Sequence, residues 1–184
     1  TVERYNLSVR YDRWVISAAL QWIQGNPIAL ERASRFFLNL SRDSVVDPEM
    51  HAFIRHAISE AGVDPRRLGF EISERIAIGH LTKANQLIAA LHRLGCQFAL
   101  DDFGSNLGSF SSLKNLPMDY LKIDGSFMRN LARDSVNQAM VAATIKLARS
   151  LNFKVIAEQV EDASGLDAAR SMGVDYLQGY AIAR

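Results

Sequence analysis

Oxygen-bearing side chains stand where the apolar runs of this chain end. The stretch from Phe98 to Phe110, FALDDFGSNLGSF, closes a strand-like run on two adjacent carboxylates, Asp101 and Asp102, ahead of a glycine-containing loop. Other apolar runs end in the same way, on Asn39, Glu71, Lys122 with Asp124, Glu158 and Gln178. If these ends converge, Glu71, Asp101, Asp102, Asp124 and Glu158 share one cavity with a single amide, Asn39, and a single cation, Lys122. Two unit charges about 4 Å apart at an effective dielectric of about 20 interact by about 4 kcal/mol, so several unpaired carboxylates would rival the net stability of a domain. One lysine is insufficient, and protonation relieves only part of the load at neutral pH.

Divalent cations resolve the conflict. Oxygen donors with no histidine or cysteine suit the hard ions Mg²⁺ or Mn²⁺ rather than Zn²⁺ or Cu²⁺. Adjacent aspartates can reach two neighbouring ions, with Asp101 as a bridge, and paired metals serve in-line attack on a phosphodiester. Glu158 is then placed to accept the proton of the attacking water, and Lys122 to steady the nucleophile or the phosphate. A plain ion pair of Lys122 with Asp124 or Glu158 fits the same spacing. The competing chemistry, a Schiff base on Lys122, is disfavoured, because carboxylate neighbours keep an amine protonated and a Schiff-base lysine must lose its proton.

The elements that would position these groups alternate. RFFLNLS, LGFEISE, CQFALDD, DYLKIDG, KVIAEQV and VDYLQGY read as strands. Between them, residues 48–62 place Met50, Phe53, Ile54, Ala57 and Ile58 on one helical face, with Asp47 as the expected N-cap and Gly62 as the stop. A second helix carries Leu81, Ala84, Leu87, Ile88 and Leu91 and closes at Gly95. A short helix is expected over residues 109–116, a long one over 135–151 and another across 165–172. Repeated strand and helix imply a parallel sheet with helices outside it. Polar groups at every strand end favour a closed barrel, which gathers all its C-terminal strand ends on one face, over an open sheet with a single switch point.

Composition sets the remaining bounds. With 184 residues and 48% hydrophobic content, the chain can bury a core and is most economically one domain, over residues 1–184. Its 21 Lys+Arg against 20 Asp+Glu offer no basic surface for bulk nucleic acid or an anionic membrane. No run of about 18 apolar residues occurs, so no membrane segment and a cytoplasmic location are expected. The single cysteine, Cys96, lies in an apolar strand pattern and reads as a buried small hydrophobe.

The ordered motifs LNLS, FEISE, ALDDFGS, LPMDYLKIDGSF, VIAEQVE and DYLQGY, which run over nearly the whole chain, resemble the EAL-domain family of cyclic di-GMP phosphodiesterases. That resemblance implies a (β/α)8 TIM-like barrel, Mg²⁺ or Mn²⁺, and hydrolysis of cyclic di-GMP to the linear dinucleotide pGpG in bacterial second-messenger signalling. It implies Asn39, Glu71 and Asp101 as metal ligands, with Asp101 and Asp102 at the second metal position and Asp124 close to it. Lys122 and Glu158 match the catalytic lysine and general base, Gln178 and Glu161 match supporting positions, and Glu74 matches a glutamate that anchors the loop after DDFG. The partners implied are cyclic di-GMP and adjoining sensory or GGDEF domains, with the location then the cytoplasmic side of a larger, membrane-anchored protein. Separately, Phe110 and Leu113 beside a loop of small residues suggest a homodimer through the loop after Asp102 and the short helix that carries them.

The match has three departures. The start, TVERYNLSVRYDRWV, resembles the family segment downstream of the Glu-Ala-Leu signature, so the chain is expected to lack the first two barrel strands and to expose sheet edges. The loop reads DFGSNLGSF where DFGSGLSSF is usual, and Asn106 tolerates the positive φ of such a turn. Gln159 occupies a position where glycine is common and reads as peripheral. The missing signature and altered loop point to the alternative function, a degenerate receptor that binds cyclic di-GMP without hydrolysing it.

Overall fold

A computed structural model describes residues 7–104 and 113–182. Six strands form one sheet: β1 (Phe36–Asn39), β2 (Leu68–Ser73), β3 (Gln97–Phe103), β4 (Tyr120–Ile123), β5 (Lys154–Ala157) and β6 (Tyr176–Leu177). They follow one another in sequence order, and the pairs β1–β2, β3–β4, β4–β5 and β5–β6 are parallel. This is the α/β class that the alternation predicts, with six strands among the described residues. The residues group into two compact units, Thr1–Ile72 with Ile76–Phe98, and Ser73–Arg75 with Ala99–Arg184.

The first unit is built on α1 (Ser8–Gly25), followed by α2 (Pro27–Arg32), α3 (Arg42–Val46), α4 (Met50–Ala61), α5 (Glu74–Gly79) and α6 (Leu81–His92). The inner face of α1, Ile16, Leu20 and Ile23, is buried, as are Met50, Ile54 and Ile58 of α4, on which α1 packs. Burying a side chain of this type contributes about 1.5–3 kcal/mol, which explains why an 18-residue helix rich in polar groups docks here. The same face holds a carboxylate. Asp12 is 7% exposed and accepts the Ser41 N–H at 2.8 Å and the Ser44 hydroxyl at 2.6 Å. Strand β2 is buried from Leu68 to Ile72, and Phe70 packs on Phe98 with centroids 5.7 Å apart.

Two details differ from expectation. Helix α4 starts at Met50 with Glu49 as N-cap, because Asp47 already terminates α3, donating its N–H to the Asp43 carbonyl. The Asp47 carboxylate accepts the Glu49 N–H at 2.9 Å and pairs with Arg13 at 3.0 Å. Helix α1 has no counterpart in the alternation read from sequence, since exposed Tyr11, Trp14 and Trp22 break up the Ile16–Leu20–Ile23 spacing.

In the second unit, β4 is wholly buried and α7 (Ser135–Ser150) packs on β4 and β5 through Val141, Thr144, Ile145 and Ala148. Asp134 caps α7 by accepting the Val136 and Asn137 N–H groups. Helix α8 (Ala163–Met172) is capped by Asp162 and stops at Gly173, φ +84. Beside it, Asp175 pairs with Lys154 at 3.0 Å and accepts the Val155 N–H. Most of the expected helix at 109–116 lies outside the described residues, Phe110 included. Leu113 is 1% exposed, so it serves the interior of its own chain and is withdrawn from the expected contact with a second copy. Cys96 is buried as expected, and burial pushes its thiol pKa up to about 12. Among the described residues no helix is long and apolar enough to cross a membrane.

Candidate functional site

The ends of β3, β4 and β5 carry the chemistry of the second unit. The β3–β4 register shifts between Leu100 and Phe103, an irregularity that falls on Asp101 and Asp102. Asp102 takes φ +55, a conformation that aspartate tolerates better than most residues, and its N–H donates to Asp101 Oδ1 at 3.0 Å. Bulges of this kind re-aim side chains at strand ends. Here the two neighbouring carboxylates, which regular pleating would send to opposite faces, come together with Glu158. One oxygen from each of Asp101, Asp102 and Glu158 lies within 4.8 Å of the others.

Lys122, the central polar residue of β4, is 3% exposed. Its Nζ stands 2.6 Å from Glu158 Oε1 and 3.2 Å from Asp101 Oδ1. Among the described residues one ammonium stands with three carboxylates, and Asp102 registers their charge. Its pKa is raised by burial first, then by the charges of Asp101 and Asp124, with Lys122 opposing. An all-oxygen group of carboxylates fits a hard divalent cation.

The remaining sequence candidates fall around this group. Asp124 follows β4 and caps a short 3₁₀ turn, Gly125–Phe127, accepting the Ser126 N–H at 2.7 Å; it stands outside the tight carboxylate trio. Glu161 and Gln178 line a cavity of about 390 Å³ together with Glu158, Gln159, Gly179 and Tyr180. Tyr180, 70% exposed, was not singled out from sequence, although it is adjacent to the Gln178–Gly179 pair in DYLQGY. In the first unit, Asn39 and Glu71 are register partners at the ends of β1 and β2.

Glu74 opens α5 yet belongs to the second unit. It is 3% exposed, and Oε2 accepts the Gly104 N–H at 3.1 Å. Burial raises its pKa and the Gly104 hydrogen bond lowers it, with burial dominant. Gly104 takes φ +92, and a Cβ there would stand 2.9 Å from the Phe127 ring, so this turn after Asp101–Asp102 is pinned on two sides.

The chain as a whole is similar to known proteins. The chain is 37% identical over 180 residues to cyclic di-GMP phosphodiesterase PdeF of Escherichia coli, covering 98% of this chain and 24% of that protein. It is 35% identical over 182 residues to cyclic di-GMP phosphodiesterase PdeB of Shewanella oneidensis, covering 99% and 21%. It thus spans about a quarter of the length of these curated relatives. Among solved structures, the PaMucR phosphodiesterase in complex with c-di-GMP matches with a TM-score of 0.90 at 29% identity, over 100% of this chain and 74% of that one. The EAL domain of FimX from Pseudomonas aeruginosa, bound to c-di-GMP, matches with a TM-score of 0.90 at 32% identity, over 100% and 73%. The EAL domain profile itself extends over residues 1–184, and the chain belongs to the EAL-domain family.

Proposed function

We propose that this chain hydrolyses cyclic di-GMP to pGpG in bacterial second-messenger signalling. The observation that carries the reading is the group of Asp101, Asp102 and Glu158 with Lys122 bridging two of them, placed on the strand ends of an EAL-family chain. Relatives named as cyclic di-GMP phosphodiesterases support it. Asp101 and Asp102, with Asp124, Asn39, Glu71 and Glu158 as further ligands, would hold Mg²⁺ or Mn²⁺, two ions in the full arrangement. Bound divalent cations supply positive charge for the phosphoryl oxygens and make a water more acidic.

The chain's own residues do the rest. Glu158 takes the proton of the water whose oxygen bonds to phosphorus, and the P–O3′ bond breaks as the 3′ oxygen gains a proton from solvent. Lys122 holds the Glu158 carboxylate in one orientation, with Asp101 on its other side. Gln178 and Glu161 contact the dinucleotide from the cavity they share with Glu158. Glu74 keeps the turn after Asp102 in place through Gly104. The setting proposed is cytoplasmic, with adjoining sensory or GGDEF domains and a homodimer whose contacts exclude Leu113.

The test is incubation with cyclic di-GMP and Mg²⁺ or Mn²⁺, with products separated by chromatography. pGpG is expected, absent after chelation and strongly reduced in Glu158→Gln. Tight binding of cyclic di-GMP with no pGpG in either metal would replace the enzyme by the receptor.

A further inference from the structure

Two anchors fix the chain on either side of Glu158 and Gln159. Ahead of them, the Ala157 carbonyl at the end of β5 accepts the Gln178 N–H at 2.9 Å. Behind them, Val160 donates to the Gln178 carbonyl and accepts from Ala181, each at 3.0 Å. Gly179 crosses so close that a Cβ on it would stand 2.8 Å from the Val160 carbonyl carbon. Glu158 and Gln159 must bridge this fixed gap, and Gln159 does so at φ +51. Glycine adopts that conformation without steric cost, whereas glutamine does not.

What the glutamine adds is its side chain, which lies against Gly125. A Cβ built on Gly125 would stand 2.5 Å from Gln159 Oε1 and 2.7 Å from Gln159 Cβ. The terminal amide can rotate away from such a methyl group. The Cβ, fixed by the backbone, cannot. Gly125 is buried and directly follows Asp124, so Gln159 touches the turn that carries one carboxylate while adjoining another in sequence.

We propose that Gln159 is a positioning residue whose packing on Gly125 holds the turn after β4 in fixed register with the segment after β5, and so sets the spacing of Asp124 and Glu158. The proposal rests on the phosphodiesterase reading and replaces the peripheral role that sequence assigned to Gln159. Gly125 and Gln159 fill one volume between them, small at one position and long at the other.

Reciprocal suppression tests it in the full chain. Gly125→Ala lowers kcat for cyclic di-GMP about tenfold or more, with KM changed less than about twofold, because the loss lies in the geometry of the reacting groups. Gln159→Gly alone lowers kcat about fivefold, and joining it to Gly125→Ala returns kcat to within about threefold of the parent, a strongly non-additive pair. Gln159→Ala, which keeps the Cβ, gives no such rescue. Additive effects in the pair, or rescue by alanine equal to that by glycine, would overturn the proposal. A parent protein that makes no pGpG would refute the phosphodiesterase reading instead. Mn²⁺ affinity by electron paramagnetic resonance then reads the same four variants, where suppression sustains the packing role and additivity overturns it.

Discussion

Asp12 on α1 and Asp102 at the end of β3 are aspartates that meet opposite surroundings. Asp12 is buried and receives two donors from the start of α3, a backbone N–H and a hydroxyl. Asp102 is exposed as a residue, yet partial desolvation of its carboxylate first, and then the charges of Asp101 and Asp124, raise its pKa. The first arrangement is complete within the protein and stabilises it. The second brings three carboxylates and one ammonium together among the described residues, an oxygen-rich group that suits a divalent cation. The contrast separates a carboxylate that serves the fold from one proposed to serve a ligand, and it can be pressed from both sides.

The largest effect is expected at the charged group. Glu158→Gln should lower pGpG formation by about 10²–10⁴-fold, the usual contribution of a general base, while leaving the thermal midpoint within a few degrees of the parent. At the other pole, Asp12→Ala removes the acceptor of one buried and one part-buried donor and should destabilise the chain by about 1–3 kcal/mol in urea unfolding, with little change in metal affinity. A normal stability for Asp12→Ala would erase the contrast.

Smaller effects sharpen the same comparison. Asp102→Asn should weaken Mn²⁺ binding yet stabilise the metal-free protein, by less than about 1 kcal/mol because solvent screens the group. The pH dependence has a definite sign. A carboxyl whose folded pKa lies above its unfolded value costs stability as pH rises from the ordinary carboxylate range through the raised pKa. Metal-free parent should therefore lose stability over that window, and Asp102→Asn should lose less. Asp175 behaves oppositely. Burial raises its pKa, but the Val155 N–H and then the Lys154 hydrogen bond and charge outweigh that and leave it lowered. Its contribution is present above the ordinary carboxylate pKa and lost as pH falls through the lowered one. Asp175→Asn should thus reduce stability near neutrality, by under about 1 kcal/mol, and flatten the acid limb of a pH titration of the thermal midpoint.

Only the charged side of this contrast is legible in the sequence. Asp101, Lys122 and Glu158 were readable because parallel strands end on a common side, so polar residues closing apolar runs are expected together. The register shift that swings Asp102 toward them was not, since no local pattern distinguishes a bulge from a regular strand end. Helix α1 escaped because its outward aromatics are as apolar as its inward aliphatics, which blurs the period on which sequence reading relies. The N-cap of α4 lies two residues beyond the expected Asp47 because Asp47 ends α3 and accepts the Glu49 N–H. Gln159 reads as peripheral from sequence because the role proposed for it rests on a backbone angle and on the closeness of its side chain to Gly125, and neither is written in residue type alone.

The hydrogen bond from Gly104 to Glu74 bears on how this chain can be divided. Ser73–Arg75 group with the second unit although the flanking sequence belongs to the first, so the backbone passes from one unit to the other three times. No single cleavage yields both intact. A fragment beginning at Ala99 would carry the Asp101–Asp102 pair but leave the Gly104 amide without its acceptor.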